Sequence, residues 1–168
     1  WAEKGMQVSV NGKSKIVKAE PGTFVYVGQK WKNGDKIEVK FLFTLRSETM
    51  PDNPNRIAIF NGPVVLAGYL GPDPDSLSTN LMYVPVIMTK DKNPEKWLTP
   101  VKGEANSFKT HGVGKPRDVV LRPFYETNEC HYSIFWDTYN NEEWETHQAA
   151  CQAEQKRKKE LEQKTIDL

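Results

Sequence analysis

The chain has 168 residues, enough for one ordinary domain or two small ones, and its 23 Lys+Arg against 22 Asp+Glu leave a formal net charge of +1. That balance excludes a general electrostatic footprint for nucleic acid or for an anionic membrane surface. With 38% apolar residues, five Trp and no apolar run near the roughly 20 residues of a membrane-spanning helix, a soluble chain with a packed core is expected and wholesale disorder is excluded.

The chain opens Trp1-Ala2-Glu3-Lys4, with neither an initiator Met nor a basic-then-apolar leader, and ends on a charged stretch. This reads as a piece of a longer protein. Val8 and Val10 alternate with polar neighbours up to Asn11-Gly12, with Ile16-Val17 beyond. Asn-Gly between β-prone runs predicts a hairpin, because both residues accept positive φ. Pro21-Gly22 makes the next turn, Phe24–Val27 has strand-favouring side chains, and Asn33-Gly34-Asp35 follows Trp31 as another turn.

The clearest periodicity runs from Lys36 to Arg46. Ile37, Val39, Phe41, Phe43 and Leu45 fall on one face, and Lys36, Glu38, Lys40, Leu42 and Thr44 on the other. Period two predicts one half-buried antiparallel strand. Arg56–Phe60 and Val64–Tyr69 are short apolar runs hinged at Asn61-Gly62-Pro63, read as a buried strand with an interruption. Gly71-Pro72-Asp73-Pro74-Asp75 has linker composition and is the expected domain boundary.

Beyond it, Leu81–Met88 reads as a strand whose Pro85 suggests an edge or a bulge. Trp97–Val101, Asn106–Thr110 and Asp118–Leu121 are short strands. His131–Trp136 alternates, with Tyr132, Ile134 and Trp136 on one side. From Asn141 the period changes to that of a helix, with Asn140 as cap and Glu143 closing a capping box. Its apolar stripe is thin: Trp144, Ala149, Ala150, Ala153 and Leu161. Glu154 with Lys158 and Glu160 with Lys164 make favourable i,i+4 pairs. The expected fold is therefore mostly β, with antiparallel, jelly-roll-like sandwich units: a partial sandwich over 1–71, a second β unit over 72–139, and a charged helix over 140–168.

Little in the residues points to catalysis. Cys130 and His131 are adjacent in a strand and so face opposite ways, unsuited to a thiol–base pair. Cys151 and His147 share a helix face and fit weak metal binding at most, since two ligands make no site, and two cysteines give neither a disulfide framework nor a four-ligand zinc site. His111-Gly112-Val113-Gly114-Lys115-Pro116 lacks the phosphate-loop spacing and reads as a glycine-bearing turn. Asp73 and Asp75 fit an exposed linker better than a calcium loop. Glu126, Glu129 and Asp137 are the candidates for a paired-carboxylate hydrolytic site, and nothing in the sequence brings them together. The run Lys156-Arg157-Lys158-Lys159 is bracketed by Glu154, Glu160 and Glu162 and reads as a mixed-charge helix surface. Aromatic platforms for sugar are the better binding candidates: Trp31, Trp97, Tyr125, Tyr139 and Trp144 all have polar neighbours.

Taken in order, the motifs are Trp1-Ala2, Asn11-Gly12, Pro21-Gly22, Trp31-x-x-Gly34-Asp35, Arg56–Ile59 and Gly62-Pro63-Val64-Val65. Then come Leu121–Tyr125, His131–Trp136, Lys159-Glu160-Leu161 and Thr165-Ile166-Asp167. The series resembles the region that follows the catalytic barrel in glycoside hydrolase family 127, the β-L-arabinofuranosidase family. His131 departs from that pattern, where an Arg is expected. The resemblance implies β-sandwich domains next to an (α/α)6 barrel. It places the catalytic cysteine, the zinc-binding cysteines and a glutamate in or beside that barrel, so no catalytic, cofactor or metal residue carries over to this chain. It further implies that Trp1 follows a strand lying outside the chain, leaving an exposed sheet edge.

The expected role is a non-catalytic domain braced against a barrel of the same polypeptide, in a secreted or periplasmic protein. The alternative is a module holding plant-type oligosaccharide through exposed Trp and Tyr.

Overall fold

The computed structural model describes residues 4–18, 20, 22–71 and 84–166. The chain is mostly β with one long helix at its C-terminal end, as expected. Its first strands, β1 (Met6–Val10), β2 (Lys13–Lys15) and β3 (Ile37–Phe41), form a three-stranded antiparallel sheet in the order β2-β1-β3. Asn11 and Gly12 both take positive φ, 50° and 75°, so the β1–β2 turn has the twist that an Asn-Gly hairpin supplies. The turn before β3 is closed by Asp35. Its carboxylate accepts the Lys32 amide at 2.8 Å and the Asn11 side-chain amide at 2.9 Å, and both contacts pull its pKa down. The strand expected over Phe24–Val27 does not form. Those residues are irregular, and the Phe24 and Tyr26 rings stand almost wholly in solvent.

The remaining strands are β4 (Leu45–Thr49), β5 (Arg56–Asn61), β6 (Val64–Gly71), β7 (Val86–Met88), β8 (Leu98–Pro100), β9 (Phe108–Thr110), β10 (Gly114–Lys115), β11 (Val120–Pro123), β12 (His131–Ser133) and β13 (Phe135–Tyr139). They form a single ten-stranded sheet whose main path is β10-β7-β13-β5-β6-β11-β9-β8, with β4 against β5 and β12 against β6. All pairings are antiparallel except β13 with β7. The long strand expected over Lys36–Arg46 is thus two strands, β3 and β4, in different sheets. Residues 56–71 are an antiparallel hairpin, with Asn61 opposite Val64, rather than one interrupted strand.

That hairpin opens like a fork. β5 and β6 pair over Ile59–Asn61 and Val64–Leu66, then diverge. β13 takes up the free length of β5 at Arg56–Ala58, and β12 takes up β6 at Gly68–Gly71. The chain steps from one prong to the other at Ile134, where the Ser133 hydroxyl bonds both the carbonyl and the amide of Phe135. The His131–Trp136 alternation therefore breaks, and Tyr132 stays exposed while Trp136 is fully buried. The sheets do not divide at Gly71. Strands from both sides of that position pair with one another, and the change of sheet falls at Leu42–Thr44 instead.

One core is gathered from all parts of the large sheet: Ile57, Ile59, Leu66, Leu70, Ile87, Trp97, Leu98, Val119, Leu121 and Trp136. Strands so far apart in one sheet can share a core only if the sheet curls around it. Gly68 permits this, because the Trp136 indole lies where its side chain would be.

The helix α1 (Asn141–Ile166) begins with the expected capping box. The Glu143 amide donates to the Asn140 side chain at 2.9 Å and the Asn140 amide to the Glu143 carboxylate at 2.8 Å. Its docking face differs from the expected stripe. Ala149, Ala150 and Ala153 are exposed, while Trp144, His147 and Cys151 are half-buried. The expected i,i+4 pairs at Lys158, Glu160 and Lys164 lie outside the described side chains, as does Leu161.

Candidate functional site

The foot of α1 gathers several of the residues singled out above. The ring of Tyr139, the last residue of β13, stacks on the His147 imidazole at 4.8 Å between centroids and 22° between planes. Trp144 leans on both, 5.9 Å from each. Cys151, one turn beyond His147, places its Sγ 3.5 Å from the imidazole Nε2. The phenol of Tyr139 is pushed up in pKa, chiefly by burial and then by the negative charge of Asp137.

Beside this cluster a cavity of about 280 Å³ is lined by Arg56, Val84, Pro85, Val86, Ser133, Phe135, Asp137 and His147. Across its wall Arg56 and Asp137, opposite one another in β5 and β13, form a bidentate pair with N–O distances of 2.7 and 3.0 Å. The pair raises the Arg56 pKa further above its ordinary value. Asp137 is thereby committed to a cation and is no free general base.

The five expected sugar-contact residues do not converge. Trp97 is a correction: it is only 4% exposed, its ring is part of the core, and its indole N–H donates to the Asp91 carbonyl at 3.0 Å. Polar neighbours in sequence misled because Trp97 closes the 3-10 turn Pro94–Lys96, whose charged residues stay outside while the indole turns into the core beside Leu98. Trp31 is 49% exposed on the loop before β3, and Tyr125 is 61% exposed on a single 3-10 turn after β11. Tyr139 and Trp144 pack on each other and on the helix.

The turn at His111–Pro116 shows what its glycines do. The Asp118 carboxylate accepts the Gly112 amide at 2.9 Å, the Gly114 amide at 3.0 Å and the Thr110 hydroxyl at 2.9 Å. The two glycine amides are thus taken up by a carboxylate of the chain itself. Burial works to raise the Asp118 pKa, but these three donors and nearby His111 outweigh it and hold it low. Among the described residues no three His, Cys, Asp or Glu side chains gather as a metal site, and Asp73 and Asp75 lie outside those residues.

One aromatic face was not anticipated. Tyr69 and Tyr132 are direct cross-strand partners on β6 and β12, both exposed. Phe124 meets Tyr132 edge-on at 5.3 Å, and the Arg122 guanidinium lies 5.8 Å from the Tyr69 ring centre while also binding Glu104 at 3.1 Å. Tyr69 and Tyr132 are far apart in sequence, so only the pairing of β12 with β6 reveals the face.

The second exposed apolar face belongs to the small sheet. Val8 lies opposite Val39, Val10 opposite Ile37 and Met6 opposite Phe41, so all six side chains share one face. Val8 and Val10 are buried in the middle strand, whereas Ile37 and Val39 on the edge strand are 50% and 44% exposed.

This small sheet coincides with a sequence match to a family model described as "Beta-L-arabinofuranosidase, GH127 middle domain". Residues 1–43 carry the GH127 middle-domain match. The match ends where β3 ends and the chain passes into the large sheet. The chain thus carries a glycoside-hydrolase-related segment, in agreement with the family resemblance read from its motifs. No curated protein matches the chain. Among solved structures, a GH127 β-arabinofuranosidase is similar at 20% identity, over 80% of this chain and 23% of its own, with a TM-score of 0.43. A second structure, described as a glycoside hydrolase, is similar at 14% identity over 80% of this chain and 26% of its own, with a TM-score of 0.44. The chain spans about a quarter of the length of these structures. No helix among the described residues is long and apolar enough to cross a membrane.

Proposed function

We propose that this chain is a non-catalytic β domain of a glycoside hydrolase of the arabinofuranosidase type, braced against a catalytic barrel in the same polypeptide. The observation that carries the reading is the half-exposed apolar face of Ile37 and Val39, which lies inside the very residues that match the GH127 middle domain. Edge-strand apolar side chains left in water forfeit the transfer free energy that burial supplies, about 25 cal/mol per Å². A partner surface from the same polypeptide recovers it without a second molecule. The Arg56-bound Asp137 fits the same reading, because a hydrolytic carboxylate must be free to exchange a proton with substrate or water. Secretion or a periplasmic location, and zinc held in the barrel, belong to this proposal through the family alone.

Hydrogen exchange tests it. In a polypeptide extended through the adjoining coding sequence, amides of Ile37–Phe41 should gain protection over the 168-residue chain, which should not cleave an aryl arabinofuranoside. Equal exchange in both, or turnover by the short chain that Cys130→Ala abolishes, overturns the proposal.

A second reading, oligosaccharide binding, is favoured by the Tyr69–Tyr132 face, where exposed rings lie beside the Arg122–Glu104 pair. Rings of this kind stack on a sugar's C–H face while an Arg–Glu pair can bond its hydroxyls. Calorimetric titration with arabino-oligosaccharides separates the two readings: heat lost in Tyr69→Ala supports binding, and no heat leaves the bracing role alone.

A further inference from the structure

We propose that His147 and Cys151 are a chelating pair for a zinc-class divalent cation, seated on the first half of α1 and independent of any zinc in a catalytic barrel. The spacing puts both donors on one helix face, one turn apart. The structure adds the distance. Tetrahedral zinc binds imidazole nitrogen at about 2.0–2.1 Å and thiolate sulfur at about 2.3 Å, which sets the two ligand atoms about 3.5 Å from one another. His147 Nε2 and Cys151 Sγ are 3.5 Å apart before any ion is present. The two donor atoms are thus already at the separation a shared ion needs.

The surroundings hold the imidazole in place. Stacking on Tyr139 fixes the imidazole plane, and the Tyr139 hydroxyl lies 3.4 Å from Nδ1, so Nε2 is the nitrogen turned toward the sulfur. Asp137 lines the cavity that His147 also lines but is bound to Arg56, and Glu143, one turn before His147, accepts the Asn140 amide, so water rather than a third side chain completes the ion's shell. The cation of that cavity, Arg56, is held by Asp137 in a bidentate pair. Both donors are half-buried, shielded enough to hold a fixed geometry and open enough for an ion to enter. The neutral imidazole donates its Nε2 lone pair, the thiol gives its proton to solvent as the metal–sulfur bond forms, and water fills the remaining positions. The pair differs in this from Cys130 and His131, for which no contact between thiol and imidazole is formed and of which only His131 belongs to β12.

The test uses the full 168-residue chain titrated with Co²⁺, followed by displacement with Zn²⁺. A saturable cobalt–thiolate charge-transfer band at one ion per chain is expected, removed by Zn²⁺. Cys151→Ser should abolish the band, and His147→Gln should weaken cobalt binding about tenfold or more, since even outer contacts of metal ligands change affinity by that factor. Cys130→Ser should leave it unchanged. Zn²⁺ should also raise the thermal midpoint of the wild-type chain and of Cys130→Ser but not of Cys151→Ser, a comparison that holds if a variant is less stable from the start. No band at millimolar cobalt, or a band that survives Cys151→Ser and disappears in Cys130→Ser, overturns the proposal.

Discussion

Gly68→Ala is the sharpest probe of how the large sheet closes on its core. A Cβ at this position would meet Trp136 Cη2 at 2.3 Å, Trp136 Cζ2 at 2.5 Å and a Val119 methyl at 2.9 Å. Ordinary contact begins near 3.4 Å, so the indole would have to move by about 1 Å. It has little room to do so, being 1% exposed with β5 and β7 flanking its strand. Overpacking of this kind costs about 1–3 kcal/mol, and the upper part of that range applies where two rigid ring atoms and a methyl all collide. The φ of Gly68 lies outside the left-handed region, so alanine brings no backbone strain. In the absence of the clash the substitution would stabilise by about 0.4–1 kcal/mol through the unfolded chain. The sign itself is therefore diagnostic. Urea unfolding should show Gly68→Ala destabilised by about 2 kcal/mol, with the slope unchanged. A cycle with Trp136→Phe, which removes the colliding ring atoms and an indole N–H that has no bonding partner, should show coupling of at least about 1 kcal/mol. A neutral or stabilising Gly68→Ala, or strict additivity, would refute the packing described for this fork.

Asp118→Asn should destabilise the chain by about 2 kcal/mol at pH 7, because the new amide nitrogen would face the Gly112 N–H in place of an acceptor. The native Asp118 pKa is depressed, so its contribution is present above the unfolded value near 4 and is lost as pH falls through the lower native value. Stabilities of the two proteins should accordingly converge below pH 4, and a constant gap in urea melts from pH 7 to pH 3 would contradict the assignment. Trp97→Phe should cost about 2 kcal/mol, from a core cavity and the lost bond to the Asp91 carbonyl, while any calorimetric response to arabino-oligosaccharide stays unchanged. A lost response with stability intact would return Trp97 to the list of sugar contacts.

What was legible in the sequence was local. The Asn11-Gly12 hairpin, the Asn33–Asp35 turn and the Asn140/Glu143 box all form as read, because each is set by backbone preferences within a few residues. The fork was not legible. Nothing in Arg56–Gly71 says that β5 and β6 separate after three pairs, since the cause is the arrival of β12 and β13 from some sixty residues further on. Phe24–Val27 shows the converse failure: strand-favouring side chains do not make a strand by themselves, and among the described residues this segment pairs with none.

The candidate sites divide along the same line. His147 and Cys151 could be paired from their spacing, since a helix fixes which residues share a face, whereas Tyr69 and Tyr132 meet only through sheet pairing. The Lys36–Arg46 segment explains why a perfect alternation still misled. Period two reports that one face is apolar, but not what lies against it or whether the same body lies against its whole length. Here the strand stops at Leu42–Thr44, where the Gly62 amide donates to the Thr44 carbonyl at 3.0 Å and the Phe43 ring lies over Gly62, at a spot where any Cβ would collide. Leu45 then packs against the large core, while Ile37 and Val39 remain half in water. One apolar stripe thus serves two bodies, one closed within this chain and one still open. The period-two pattern of one segment is thereby split between two sheets, and its open half is the part on which the proposed function rests.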